Sequence, residues 1–147
     1  MSEPLDELGA LRRWLGDLRG TVARKADGLS PEQLAARSVP PSDLSILGLV
    51  RHLAQMEHHW FVRTLSRADE PQLYVPAGDW DAQFRDAVAD EAVVADAFDT
   101  WRGVLILNVQ CIENQSGAGT DQQDTRARLN DFCAIRRAAK FGDQRTG

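Results

Sequence analysis

The chain has 147 residues, 43% of them hydrophobic and 27% charged, and a net charge of −5. That length is one domain, 1–147, able to bury most of the surface its unfolded form would expose, and the balance excludes wholesale disorder and any membrane-crossing run. The acidic total disfavours nucleic acid and anionic lipid as partners, and the Met1–Pro4 start opens no secretion signal, so the expected location is cytoplasmic.

From Leu5 to Ala26 the residues Leu5, Leu8, Leu11, Leu15, Leu18 and Val22 recur at three- and four-residue spacing, which predicts a helix with that face buried. Gly28 closes it. Ser30-Pro31-Glu32-Gln33 then supplies an N-cap, a proline at the first helical position and a glutamine at the capping-box position, which predicts a short turn of helix over 31–36. Pro40-Pro41 interrupts the chain, and Ser42 or Ser45 caps a second long segment from about Ile46 to Ser66 with Ile46, Leu49, Val50, Leu53, Trp60 and Phe61 on its apolar face. Residues 69–81 hold Pro71, Pro76 and Gly78 around the apolar Leu73-Tyr74-Val75, the pattern of an ordered loop that packs back on the helices.

A third helix is expected from about Ala82 or Asp90 through Trp101, because Val94, Phe98, Trp101 and Leu105 keep helical spacing. Asp86, Asp90, Glu91 and Asp96 give it a solvated acidic start. The stretch 104–112 is apolar on all sides, compatible with a buried helix end or a strand. Beyond the loop at Gly117-Ala118-Gly119, Asp121 to Phe141 fits a helix with Leu129, Phe132, Cys133 and Ala139 on one face, interrupted by Arg136. Two such large anchors scarcely offset the entropy of ordering a helix, so residues from about Gly117 onward are expected to be loosely held.

Composition changes at Trp101. All six prolines, four tryptophans and three histidines lie at or before it, whereas all three asparagines, both cysteines and three of the four isoleucines follow it. Residues 1–101 carry net −7 and residues 102–147 net +2. The junction Trp101-Arg102-Gly103-Val104-Leu105 is nevertheless unbroken and lacks the Gly, Ser and Pro of a linker.

Chemistry concentrates at Arg51-His52 and Glu57-His58-His59. His52 lies at the edge of the apolar stripe, where a neutral imidazole serves as metal ligand or base, or alternatively is a partly buried side chain satisfied by one hydrogen bond. His59 follows seven residues later, about 10.5 Å of helical rise, too far to share an ion with His52. Glu57 and His58 point away from that stripe, the paired histidines being read as polar surface or a weak adventitious metal patch, and Trp14, Trp60, Phe61, Phe98 and Trp101 are read as core. Cys111 and Cys133 are read as two reduced thiols, with no disulfide and no zinc ribbon. The basic tail residues Arg126, Arg128, Arg136, Arg137 and Lys140 lack interleaved aromatics, so no nucleic-acid partner is expected.

Residues 28–34, then Val39-Pro40-Pro41-Ser42-Asp43-Leu44-Ser45-Ile46-Leu47-Gly48-Leu49-Val50-Arg51-His52-Leu53, then Glu57 and Trp60-Phe61 resemble the DinB-like domain superfamily, in particular its mini-circle-protein branch. The resemblance continues through Leu73-Tyr74 to Ala92, Phe98 and Trp101, and so covers residues 1–101. It implies an all-α, up-down-down-up four-helix bundle, here with a divergent or degraded fourth helix. It also implies a divalent metal, zinc or nickel, near one end of the bundle, with His52 as one ligand and the site between the second and fourth helices. Relatives use a low-molecular-weight thiol such as mycothiol in transferase or isomerase chemistry, so a small-molecule thiol or electrophile is the implied partner.

The two other ligands implied by the resemblance, a His or Glu four residues before a second His, have no counterpart after Trp101. No histidine occurs there, and no two of Cys111, Glu113, Asp121, Asp124, Asp131, Cys133 and Asp143 are four residues apart. Out-of-frame translation or genuine divergence of 102–147 explains both the missing pair and the change in composition. The expectation is weak, non-stoichiometric metal binding. The alternatives are a non-catalytic bundle remnant and an interaction module that forms a homodimer through the uncovered face.

Overall fold

The computed structural model describes residues 7–115, with side chains through Asn108. Among these residues every regular element is helical. The order is α1 (Glu7–Ala26), α2 (Pro31–Ala35), α3 (Ile46–Glu57) continued by wider π-type turns over His58–Leu65, a single 3-10 turn at Pro76–Gly78, α4 (Ala82–Arg85) and α5 (Glu91–Gln115). The chain is an all-α protein. The expected fourth helix over 121–141 and the loosely held tail lie outside the described residues.

Local chemistry sets the element ends. Gly28 follows α1 at φ +73°, a left-handed conformation that costs glycine nothing. At α2 the Ser30 hydroxyl accepts from the Gln33 backbone N–H (3.3 Å) while the Gln33 side chain accepts from the Ser30 N–H (2.9 Å), a complete capping box. Ser45, not Ser42, caps α3, its hydroxyl accepting from the Gly48 N–H at 3.0 Å. The Asp90 carboxylate accepts from the N–H groups of Ala92 (2.8 Å) and Val93 (3.1 Å) and so starts α5. That helix runs through Trp101 without a break, so 104–112 is helix and the change in composition falls inside one element.

The core forms where α3 packs along α5, joining Leu47, Val50 and Ala54 to Ala97, Trp101 and Val104. Leu34 of α2 and the loop residues Leu73 and Tyr74 close it, so the expected packing of that loop on the helices is observed. Two sequence expectations need correction. On α1, Leu11, Trp14 and Leu18 are 56%, 67% and 51% exposed, whereas Leu15 and Val22 are half-buried and Ala26 buried. Periodicity shows that a face is apolar, not which neighbour covers it, and α1 meets the others along the line Leu15, Arg19, Val22 and Ala26.

On α3 the buried line is Leu47, Arg51, Ala54 and His58, spaced i, i+4, i+7 and i+11. The polar members of that line hide it from a search for apolar periodicity. Ile46, Leu49 and Leu53 are half-buried beside it, and Trp60 is exposed rather than core.

Candidate functional site

His52 stands half-buried on α3, one turn after Gly48, and faces α4. Its Nδ1 lies 3.1 Å from Gln83 Oε1, and the Phe84 ring packs against the imidazole with centroids 5.3 Å apart and planes tilted by 31°. Gln83 is itself anchored, its Nε2 donating to the Trp80 carbonyl at 2.7 Å. The close approach of α4 depends on Gly48: a Cβ there would stand 3.2 Å from Phe84 Cδ1 and 3.4 Å from Phe84 Cα. An exposed ion pair, Arg85 to Asp79 at 2.9 Å, closes the short segment on itself. The Arg85 guanidinium holds the Asp79 carboxyl below the usual carboxylate range, and Asp79 in turn raises Arg85.

Along the same segment His59 meets Trp60 and Trp80 nearly edge-on, at 5.3 and 6.4 Å between ring centroids. His52 and His59 therefore both touch the 80–84 stretch, from positions about two turns apart on one helical rod. Their neighbour His58 is fully buried, contrary to the surface reading, because it continues the inward line of α3.

A second polar cluster lies at the C-terminal end of α3. The Glu57 carboxylate accepts two bonds from the Arg19 guanidinium, one from Trp101 Nε1 (3.4 Å) and one from Asn108 Nδ2 (2.5 Å). One acidic side chain thus ties α1, α3 and α5 together. Glu57 is correspondingly buried, although the sequence pattern points it away from the apolar stripe. The cluster is saturated with donors, which suits a structural tie more than a reacting group.

Gln55 plays a similar part for the loop. Its Oε1 accepts from the backbone N–H groups of Leu73 (2.8 Å) and Tyr74 (3.0 Å), and its amide donates to Gln72. Tyr74 donates its hydroxyl to Asp96 on α5 at 2.7 Å, so Asp96 is not part of a purely solvated face. Arg51 lies 4.4 Å over the Tyr74 ring and donates to the Asp86 carbonyl at 3.2 Å.

Of the residues singled out from sequence, His52 is where the helical pattern puts it, at the edge of the packed face. Gln83, Phe84, Arg19 and Asn108 were not singled out. Gln83 and Phe84 sit in a helix of one turn with no motif, and only the fold brings Arg19 and Asn108 to Glu57. Among the described residues no group of three His, Cys, Asp or Glu side chains could hold a metal ion. No described helix is long and apolar enough to cross a membrane.

The model of one protein family, mycothiol-S-transferase, matches residues 10–131. The match covers α1 through α5 and runs past Trp101, so the likeness extends beyond the 1–101 over which individual residues resemble the DinB-like superfamily. No curated protein and no solved structure matches the chain.

Proposed function

The chain belongs to the mycothiol-S-transferase family, within the DinB-like proteins, and from that premise we propose that it acts on a small thiol at the His52 end of the bundle, with His52 as a ligand to zinc or nickel. The observation that carries the reading is the setting of His52: half-buried, stacked by Phe84 and hydrogen-bonded through Nδ1 alone among the bonds described. A metal-ligating histidine characteristically engages its second nitrogen in this way. A bound divalent ion would lower the basicity of a thiol and present it as thiolate.

Among the described residues the donor set stops at His52, and one imidazole falls short of the three or four ligands a zinc site takes. His52 fits; a complete site within 7–108 does not exist. Equilibrium dialysis against zinc tests the reading. The expected result is binding that drops in His52→Ala, and equal binding in both proteins would overturn the assignment of His52.

A second reading, a helical module that pairs with another copy through α1, is favoured by Leu11, Trp14 and Leu18. Their exposed fractions correspond to about 400 Å² of apolar surface, the size of the largest patch on a typical monomer and about half of one side of a standard interface. Pairing through this stripe alone would be weak.

A further inference from the structure

We propose that Gln83 is a positioning residue for His52, fixing the imidazole as the Nδ1–H tautomer and leaving the lone pair on Nε2. The Trp80 carbonyl only accepts, so the group of Gln83 that lies 2.7 Å from it is the NH2. That fixes the amide, and the atom left facing His52 is Oε1, which also only accepts. The Nδ1 partner at 3.1 Å must therefore donate. A neutral imidazole carries one N–H, so Nε2 is unprotonated.

The surroundings enforce the arrangement. Gln83 is 2% exposed, so water does not compete for its carbonyl oxygen, and its amide cannot rotate without leaving the Trp80 carbonyl. Phe84, the next residue, packs on the ring of His52 and restricts its plane. Gly48 permits both contacts by leaving room for α4. One turn of helix thus supplies the hydrogen-bond acceptor and the stacking partner of a single histidine. A free imidazole prefers its proton on Nε2; here the protein selects the other tautomer.

This inference deepens the reading of His52 and rests on it only for what Nε2 meets. A lone pair on Nε2 is what metal ligation or acceptance of a thiol proton requires. The tautomer itself follows from Gln83 and Trp80, with or without a metal.

The test is the long-range ¹H–¹⁵N spectrum of the metal-free, ¹⁵N-labelled full chain, recorded well above the ordinary imidazole pKa, with His52 assigned by its loss in His52→Ala. The expected wild-type pattern is a protonated Nδ1 and an unprotonated Nε2. In Gln83→Leu the two nitrogen resonances should exchange character, each moving by tens of parts per million, whereas Phe84→Leu should keep the wild-type pattern. A merely structural role for Gln83 would lower the melting temperature without that exchange.

Wild-type His52 protonated on Nε2 would overturn the proposal, and this measurement needs no variant of Gln83 to fold. An unchanged pattern in folded Gln83→Leu would overturn it as well. Zinc added to the same samples separates the two readings. Failure of zinc to perturb Nε2 in wild type would count against the metal assignment and leave the role of Gln83 standing. Perturbation of Nε2 that becomes roughly 10–100-fold weaker in zinc affinity in Gln83→Leu would support both.

Discussion

Replacing Glu57 with alanine should be the most damaging single change described among the polar residues. The side chains of Arg19 and Glu57 are 17% and 10% exposed, so neither charge is well solvated. Truncation strands the Arg19 guanidinium and removes the acceptor of Trp101 Nε1 and Asn108 Nδ2. Breaking a buried ion pair from one side costs about 3–5 kcal/mol, and each neutral donor left dry adds about 1–3 kcal/mol. Water entering the space left by the side chain offsets part of this, which places the expected loss at about 3–5 kcal/mol.

Glu57→Gln keeps an acceptor and removes the charge, so it should cost less, about 1–3 kcal/mol. Combining it with Arg19→Met should recover part of the summed loss, with a coupling energy of at least about 1.5 kcal/mol. Urea unfolding with a common m-value measures wild type, Glu57→Ala and the three variants of the cycle, Arg19→Met alone included. A loss under about 1 kcal/mol in Glu57→Ala, or strict additivity in the cycle, would refute the account of Glu57 as the tie between α1, α3 and α5.

Gly48→Ala should destabilise although alanine is the better helix former by about 1 kcal/mol, because its Cβ would stand 3.2 Å from both Phe84 Cδ1 and the capping Ser45 hydroxyl. A rise in melting temperature would count against α4 lying so close to α3. The Asp79 carboxyl is depressed by Arg85, so its contribution is complete above the unfolded carboxylate range and is lost as pH falls through the folded value. Asp79→Asn should accordingly narrow the stability gap between wild type and variant in acid, read as converging urea midpoints, and a gap that widens on acidification would reverse the assigned sign. Trp14→Arg tests pairing through α1 by light scattering during size-exclusion chromatography: a wild-type dimer should become monomeric, and a dimer that survives the change does not use this stripe.

What was legible in the sequence was local. The capping box at Ser30 and Gln33, the left-handed Gly28 and the helical spacing of Val94, Phe98 and Trp101 depend on contacts within a few residues or on one repeated period, and the inward packing of Leu73-Tyr74-Val75 was legible from an apolar run set between prolines. The inward face of α3 was not legible, because Arg51, Gln55, Glu57 and His58 occupy it, and the first three acquire their partners from distant elements. His52 was legible as an edge residue. Its partner Gln83 was not, since a four-residue helix has neither period nor motif and only Gly48, by omitting a side chain, records that something must come close.

The polar residues of α3 also explain how a small bundle keeps its short segments in register. An inward face of leucine and alanine would accept α5 at several offsets of about one turn with similar apolar burial, since ridges and grooves repeat along a helix. Glu57 distinguishes them, because only one offset brings Trp101 Nε1 and Asn108 Nδ2 to the same carboxylate. Gln55 does the same for the loop by receiving two consecutive backbone N–H groups, and Arg51 does so for the approach to α4 through the Asp86 carbonyl. Each bond fixes a neighbour that apolar contact alone would leave free to slide. The last of these neighbours is the segment carrying Gln83 and Phe84, so the geometry at His52 is set in part by Arg51, the residue that precedes it on the helix.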